Sequence, residues 1–431
     1  MIYLITQVLV NHSMPSGVVI LAAYNAEDQF LVGNPQVSHF RSAYIHHRPF
    51  ATEFRKISFD TKTTLGQYSI SVDFPRDGDL IKNIYVRAKF PSPPDGYGWT
   101  NNLGYACMKE VRLRAGEIIL DRQTGEWMNT WGTLTTPASK QPGFNDLIGR
   151  DNTINSLSGP QDLMIPLPFW FCKHPETAFP LISLQNQRLR LEIDTRPVES
   201  LIIDSPGCNT RVSLSDSVEF SLIVEYVYLD REEARWFVNR PQVYLIEQVQ
   251  QDLNNEFCGG SSLIRRELPF NGLMKELIFL TRYRVRSREN LWFFYSSQEP
   301  GIDGGGEFMS GANPATDDGI RHGDIIDSAK IQYDTYDIVP EYPARFFRVL
   351  QPYQHHTVTP DDYIYCYSWA IRPEEWNPSG HINTFRSTNM TLVLRKSVAA
   401  SSYPTVLHTY ALMYNILKIN KGVCGLEFMY A

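Results

Sequence analysis

The sequence predicts an all-β protein made of two consecutive sandwiches joined by a short helix. Three observations carry that reading. Strand formers and turn formers are both abundant, with 23 Tyr and 23 Phe against 27 Gly and 27 Pro, a mixture that suits β-sandwiches. Many short stretches alternate apolar and polar residues between turn signals. Near the middle, residues 219–250 (EFSLIVEYVYLDREEARWFVNRPQVYLIEQVQ) read strand, helix, strand.

That central stretch is the joint. Phe220, Leu222, Val224, Tyr226 and Tyr228 alternate along one strand face. Asp230 can cap a helix, with Glu233 placed to reach back to the cap amide. Arg231–Asn239 is polar and helix-compatible, and Pro241 forbids its continuation. Val243, Leu245 and Val249 resume the alternation, with Glu247 breaking the face. The expectation is two β domains of similar size hinged at this helix, with Trp236 or Phe237 packed into the seam between them.

Before the joint, a short apolar run at 17–24 precedes a Gly33-Asn34-Pro35 turn signal. Tyr68, Ile70, Val72 and Phe74 alternate, and Pro75–Asp79 turns the chain. Ile84, Val86, Ala88 and Phe90 alternate against Asn83, Tyr85, Arg87 and Lys89, and Pro91–Gly98 is a loop. Val111 and Leu113 alternate with Arg112 and Arg114 before a turn at Gly116. Residues 129–135 and 136–160 read as a long surface connection. LMIPLPFWF (163–171) is too Pro-rich for a helix, Leu189, Leu191 and Ile193 mark another strand, and 197–209 reads as a loop. After the joint, Leu273–Val285, Met390–Leu394 and His408–Lys418 read as strands. Glu299–Asp324 is a Gly-rich loop long enough to be a functional or flexible excursion, expected to face outward.

A chain of 431 residues carries a prior of two or three domains. The net charge of −7 argues against a protein that coats DNA directly, which would normally be basic. The six cysteines, at 107, 172, 208, 258, 366 and 424, form no CxxC pair. That spacing excludes a zinc ribbon and favours free thiols in a reducing compartment. No run approaches the roughly 20 apolar residues of a membrane span, and the opening MIYLITQVLVNHSM lacks a basic leader.

No reaction centre emerges, so no catalytic, cofactor-binding or metal residue is predicted. His46-His47 and His355-His356 are the only histidine clusters. Adjacent strand residues point to opposite faces and do not easily share a metal, so structural or surface roles are expected. PRDGD (75–79) lacks calcium-loop spacing and reads as a solvated turn. Gly304-Gly305-Gly306 lacks the Lys and Ser/Thr of a phosphate cradle. Asn11-His12-Ser13 and Asn389-Met390-Thr391 match the glycosylation sequon only weakly in context. Tyr363, Tyr365, Tyr367 and Trp369 share one face that could stack sugars but is expected to be core.

Seven collinear blocks resemble the major capsid protein family of nucleocytoplasmic large DNA viruses. They are AAYNAEDQFLVGNPQVSHFRSAYIHHRPFATE, DGDLIKNIYVRAKFP, VRLRAGEIILD with GEWMNTW, LMIPLPFWF with FPLISLQNQRLRLEI, VEYVYLDREEARWF with YLIEQVQ, VLQPYQHHTVTPDDYIYCYSWAIRPEEWNPSGHINTF, and YALMYNILKINKGVCGLEF. Two places depart from the family pattern: Phe270-Asn271-Gly272-Leu273, and His381 to Arg386 after Pro-Ser-Gly.

The resemblance implies two eight-stranded jelly rolls, with a 1–37 arm, a first jelly roll at 38–230, a helical linker at 231–240 and a second jelly roll at 241–431. It implies a non-enzymatic coat protein whose homotrimers form pseudo-hexagonal capsomers of an icosahedral shell, assembled in the host cytoplasm. Its partners would be neighbouring capsomers and minor capsid proteins beneath the shell, with an inner membrane nearby, no direct nucleic acid and no cofactor. Met1–Ser13 has no counterpart in the pattern, and translation is expected to start at Met14. The competing readings are a minor capsid paralogue at special shell positions, a carbohydrate-binding β-sandwich, and, ranked lowest, a jelly-roll enzyme.

Overall fold

The computed structural model describes residues 16–42, 44–59, 65, 69–93, 97–150, 159–204, 218–252, 256–257, 261–285, 290–297, 323–334, 336–385, 389–397, 400 and 403–428. The expectations for Met1–Ser13, the first sequon, Cys208, Cys258 and the Glu299–Asp324 loop up to residue 322 fall outside these residues. The chain divides into two compact units, Met1–Arg48 and Pro49–Ala431. In the first, helices Ser16–Ala22 and Gln29–Val32 flank a single 3-10 turn, where Asp28 Oδ2 accepts from the Asn25 amide at 2.9 Å. None of its described residues is buried.

The second unit holds both sandwiches. The first uses β1 (Phe50–Ser58), β2 (Ile70–Asp73), β3 (Leu80–Phe90), β4 (Tyr97–Trp99), β5 (Met108–Ala115), β6 (Ile118–Thr124), β7 (Gln161–Pro166), β8 (Leu189–Thr195), β9 (Ile202–Asp204) and β10 (Glu219–Leu229). Two four-stranded antiparallel sheets result, in the orders β1-β10-β3-β7 and β2-β8-β5-β6. The alternations read from the sequence fill the space between them. Ile84, Val86, Ala88 and Phe90 of β3, Val111 and Leu113 of β5, Leu191 and Ile193 of β8, and Leu222, Val224 and Tyr226 of β10 are all buried. Gly116 turns β5 into β6 with φ +59°, a backbone conformation that glycine adopts without steric cost.

The second sandwich repeats this plan. Its strands are β11 (Gln242–Gln251), β12 (Glu256–Phe257), β13 (Leu263–Leu268), β14 (Leu273–Tyr283), β15 (Ile326–Tyr333), β16 (Tyr336–Pro343), β17 (Ile364–Ser368), β18 (Ile382–Asn383), β19 (Met390–Lys396), β20 (Thr405–Asn420) and β21 (Val423–Leu426). The sheets run β11-β20-β14-β17, with β12, β18 and β21 attached, and β13-β19-β15-β16. Strand for strand, the pairing order of the first sandwich recurs. Each sandwich is an eight-stranded jelly roll, as the resemblance implied.

The joint has the expected local structure. The Asp230 carboxylate accepts from the Glu233 amide at 2.6 Å, the helix Arg231–Asn239 follows, and β11 starts after Pro241. It is not a hinge, however. One apolar cluster runs without a break from the first sandwich into the second, so the two jelly rolls share a core. Nor does the helix fill the seam. Phe237 packs beside Leu80, Ala178, Val227 and Leu229 of the first sandwich, while Trp236 lies exposed with its ring edge-on to Phe237. The helix presents too narrow an apolar stripe to bury anything deeper.

Three further expectations are corrected. Residues 129–135 are not a surface connection but the core of a buried helix, Gly125–Thr135, in which every residue through Leu134 is buried. A helix without a continuous polar face belongs inside a protein, and GEWMNTWGTL has none. A Cβ on Gly125 would stand 2.1 Å from the Tyr105 carbonyl oxygen, so only glycine lets the helix approach that closely. Within the segments read as loops, residues 97–98 and 202–204 instead pair in the two-stranded ribbon β4-β9. On β11 it is Val243 that is exposed, whereas Ile246, Glu247 and Gln248 are buried.

Candidate functional site: the seam between the jelly rolls

The seam is where the sequence and the structure differ most, because it is built from charged and aromatic residues. Three elements converge on Glu247 of β11. Lys173, from the short helix Trp170–Lys173 of the first jelly roll, places Nζ 2.7 Å from Glu247 Oε2 and 4.0 Å from the Trp131 ring centroid. Lys275 of β14 donates from the other side to Glu247 Oε1, and also to the Glu375 carbonyl at 3.0 Å. Burial alone would raise the Glu247 carboxyl, but the two ammonium groups outweigh it and hold it below its ordinary range. The backbone explains how Lys275 comes to be buried. A register shift between Met274 and Glu276 interrupts the ladder with β20, and such bulges re-aim side chains.

A second cluster surrounds Trp292. The Arg196 guanidinium of the first jelly roll lies 4.1 Å from the Trp292 ring centroid and pairs with Glu126 at 2.6 Å. Arg282 of β14 donates to the Trp292 carbonyl at 2.6 Å, and the Trp292 indole donates to the Ser200 carbonyl at 2.7 Å. Burial alone would raise Glu126; the Arg196 and Arg282 guanidiniums instead hold it below the usual carboxylate range. Burial and the Arg282 charge push His408 down to about 3, so its imidazole is neutral. Asn290 ties the same segment to the Glu199 and Ile202 carbonyls at 2.7 Å each.

Further contacts are spread along the seam. Arg150 pairs with Asp362 at 3.1 Å, both nearly buried. The Gln248 amide donates to the Leu120 carbonyl, and the Val249 amide donates to Asp121 Oδ1 at 3.4 Å. Burial pushes the Asp121 carboxyl up to about 6. Trp127 lies 5.4 Å from Tyr410, ring to ring. At the far end, the Asn186 amide nitrogens donate to the Lys421 and Gly422 carbonyls at 3.0 Å.

The histidines and aromatics singled out in the sequence take different places. His46 and His47 are exposed, and His355 is half-buried. His356 has a fully buried side chain, with Nε2 2.6 Å from Glu276 Oε1 and Nδ1 2.9 Å from Glu374 Oε1. Burial would lower its pKa, but the Glu276 carboxylate raises it well above the ordinary histidine value. Tyr363 and Tyr365 are buried, and Tyr365 stacks on Phe279 at 5.4 Å. Tyr367 and Trp369 are partly buried and pack against the same apolar cluster, so the aromatic face is mostly core, as expected. In the Pro75–Asp79 turn, Asp79 Oδ2 accepts from the Leu229 amide at 2.8 Å and Asp77 pairs with Arg55 at 3.0 Å. Cys107, Cys172, Cys366 and Cys424 are free.

Two jelly rolls of the same strand order, fused through one core and one polar seam, define a double jelly-roll protein. Comparison with known proteins agrees along nearly the whole chain. Residues 38–230 match the family model described as the major capsid protein N-terminus, and residues 233–425 match that of the large eukaryotic DNA virus major capsid protein. The major capsid protein of Pyramimonas orientalis virus is 28% identical, covering 96% of this chain and 100% of the relative. That of Phaeocystis pouchetii virus is 27% identical with the same coverage, 96% and 100%. Among solved structures, the PBCV-1 virus capsid matches with a TM-score of 0.76 and 25% identity, covering 91% of this chain and 100% of that one. The Faustovirus major capsid protein shares the fold at a TM-score of 0.72 and 13% identity, covering 97% and 96%.

The chain belongs to the family of major capsid proteins of large eukaryotic DNA viruses. Its role is structural rather than enzymatic, and its place is the virion capsid shell among neighbouring capsomers. Among the described residues, no helix is long and apolar enough to cross a membrane.

Proposed function

We propose that three copies of this chain assemble into one pseudo-hexagonal capsomer, and that these capsomers tile an icosahedral shell. The observation that carries the reading is the recurrence of one strand order in both jelly rolls of a single compact unit. Each chain then contributes two similar sides, and three chains complete a six-sided outline with closed symmetry. In this reading residues 1–37 form an arm, 38–230 and 241–431 form the two upright jelly rolls, and 231–240 links them. The unburied apolar residues of the arm, such as Phe30, Leu31 and Val37, suit contacts with neighbouring subunits or with minor capsid proteins beneath the shell.

Light scattering on the gel-filtered chain tests this. The expected mass is three times that of the 49.5 kDa chain. A folded monomer at micromolar concentration would overturn the proposal.

A further inference from the structure

We propose that Glu276, His356 and Cys366 form a buried binding site for one zinc-class divalent cation inside the second jelly roll. The three residues come from three elements: β14, the end of the helix Gln351–His355, and β17. Their ligating atoms lie within 4.8 Å of one another, and all three side chains are buried. Glu276 and Cys366 share a sheet face, because Cys366 pairs with Ile278 and Ser368 with Glu276 in the β14-β17 ladder. One thiolate, one imidazole and one carboxylate make a donor set suited to zinc rather than to calcium or magnesium, which take oxygen alone.

Two independent observations point to a ligand. Glu276 Oε2 is buried and accepts no hydrogen bond, an acceptor left over in a closed interior. His356 is also oriented as metal-bound histidines are: Nδ1 faces a carboxylate, Glu374 Oε1 at 2.9 Å, which leaves Nε2 directed at the site. Glu374 is itself fixed by the Thr357 amide at 2.8 Å and by the Thr357 hydroxyl.

In the metal-free chain, Nε2 carries the proton that Glu276 Oε1 accepts at 2.6 Å. The ion takes the place of that proton and of the Cys366 thiol proton, so one divalent cation enters and two protons leave. The buried charge is unchanged by the exchange. Seating the ion widens the contact between Nε2 and Oε1 to roughly 3.3 Å, the spacing of two ligands about 2.0 Å from a tetrahedral zinc. The fourth position falls to Glu276 Oε2 or to a water.

The test uses the full chain produced in zinc-supplemented medium and gel-filtered, with zinc per chain measured by plasma mass spectrometry. The expected result is about one ion per chain, falling at least tenfold in Cys366→Ser, which keeps the hydrogen bond between His356 and Glu276. Glu374→Gln is expected to weaken zinc affinity by roughly 10–100-fold, the usual cost of losing a carboxylate behind a histidine ligand. Cobalt supplied in place of zinc should give a thiolate-to-cobalt charge-transfer band in the unaltered chain. Absence of that band, no retained zinc, or equal zinc in Cys366→Ser would each overturn the proposal, and the first two need no variant to fold.

Discussion

Replacing Glu247 by Leu is expected to destabilise the chain by about 3–5 kcal/mol, the cost of leaving a buried charge without its partner. The magnitude follows from where the two lysines sit. Lys275 is 0% exposed and Lys173 retains 13% side-chain exposure. Once the Glu247 carboxylate is gone, Lys275 loses its ion-pair partner and keeps the Glu375 carbonyl at 3.0 Å and the Tyr414 ring at 5.2 Å. Lys173 is better placed, over the Trp131 face and closer to water. Lys173→Met alone should therefore cost about 1 kcal/mol, since the pair of Glu247 and Lys275 survives it. Adding Lys275→Met to Glu247→Leu should recover most of the loss, because an apolar pair of similar volume replaces a buried ion pair at little cost. Urea unfolding followed by tryptophan fluorescence at fixed chain concentration measures all four proteins. If Glu247→Leu costs less than about 1 kcal/mol, Glu247 behaves as a surface charge and the account of the seam is wrong.

The same carboxylate sets a pH dependence. Its folded pKa lies below the ordinary value, so its contribution is present above the unfolded carboxyl pKa of about 4.3 and is lost as the pH falls through the folded value. The difference between Glu247→Gln and the unaltered chain should shrink in acid below about pH 4.

Two other outcomes are expected. Asp121 has the opposite sign. Its carboxyl is raised from 3.8 to about 6 by burial, so stability present below pH 3.8 is lost as the pH rises to 6, by about 3 kcal/mol. Asp121→Asn should thus gain on the unaltered chain by up to that amount between pH 4 and pH 7.5 in urea unfolding. An equal difference at both pH values would refute the assignment. At the joint, Phe237→Ala should cost about 1–3 kcal/mol and Trp236→Ala less than about 1, since only Phe237 packs against the first jelly roll. Reversal of that order in thermal melts would put the helix in a different orientation.

The strands were legible because their signal is local. Alternation at Ile84 to Phe90, at Val111 and Leu113, and at Leu189 to Ile193 names its own buried face, and the structure buries those residues. The cap at Asp230 was legible for the same reason: a cap and its recipient lie within one turn. The buried helix Gly125–Thr135 was missed because its glycines, threonines and asparagine resemble loop composition. The signal that could have found it is the spacing of Trp127, Trp131 and Leu134, which lie on one face of a helix. The seam was missed because each pair joins residues far apart in sequence: Lys173 with Glu247, Arg150 with Asp362, Asn186 with Lys421. Lys275 and Glu276 did carry a signal, as two adjacent charges in the apolar strand LMKELIFLTRY. Charges placed there either disrupt a sandwich or find partners inside it. His356 was read with His355, its sequence neighbour, whereas its partners lie 80 residues before it and 18 after it.

A shell subunit has to repeat one shape many times, and that requirement explains why the seam is polar. Apolar contacts alone would hold the jelly rolls together but are non-directional, so neighbouring orientations would differ little in energy. A charged or hydrogen-bonded pair has one good geometry and a high cost when it is missed. The six ties formed by Lys173–Glu247, Arg150–Asp362, Trp292–Ser200, Asn290–Ile202, Gln248–Leu120 and Asn186–Lys421 are distributed along the seam. Rocking one jelly roll about any single tie stretches the others, and each buried group then loses its partner. The linking helix cannot do this work, because none of its residues is buried and only Phe237 grips a jelly roll. The fixed relation between the two halves therefore resides in side chains of the seam, and Arg231–Asn239 serves to connect them.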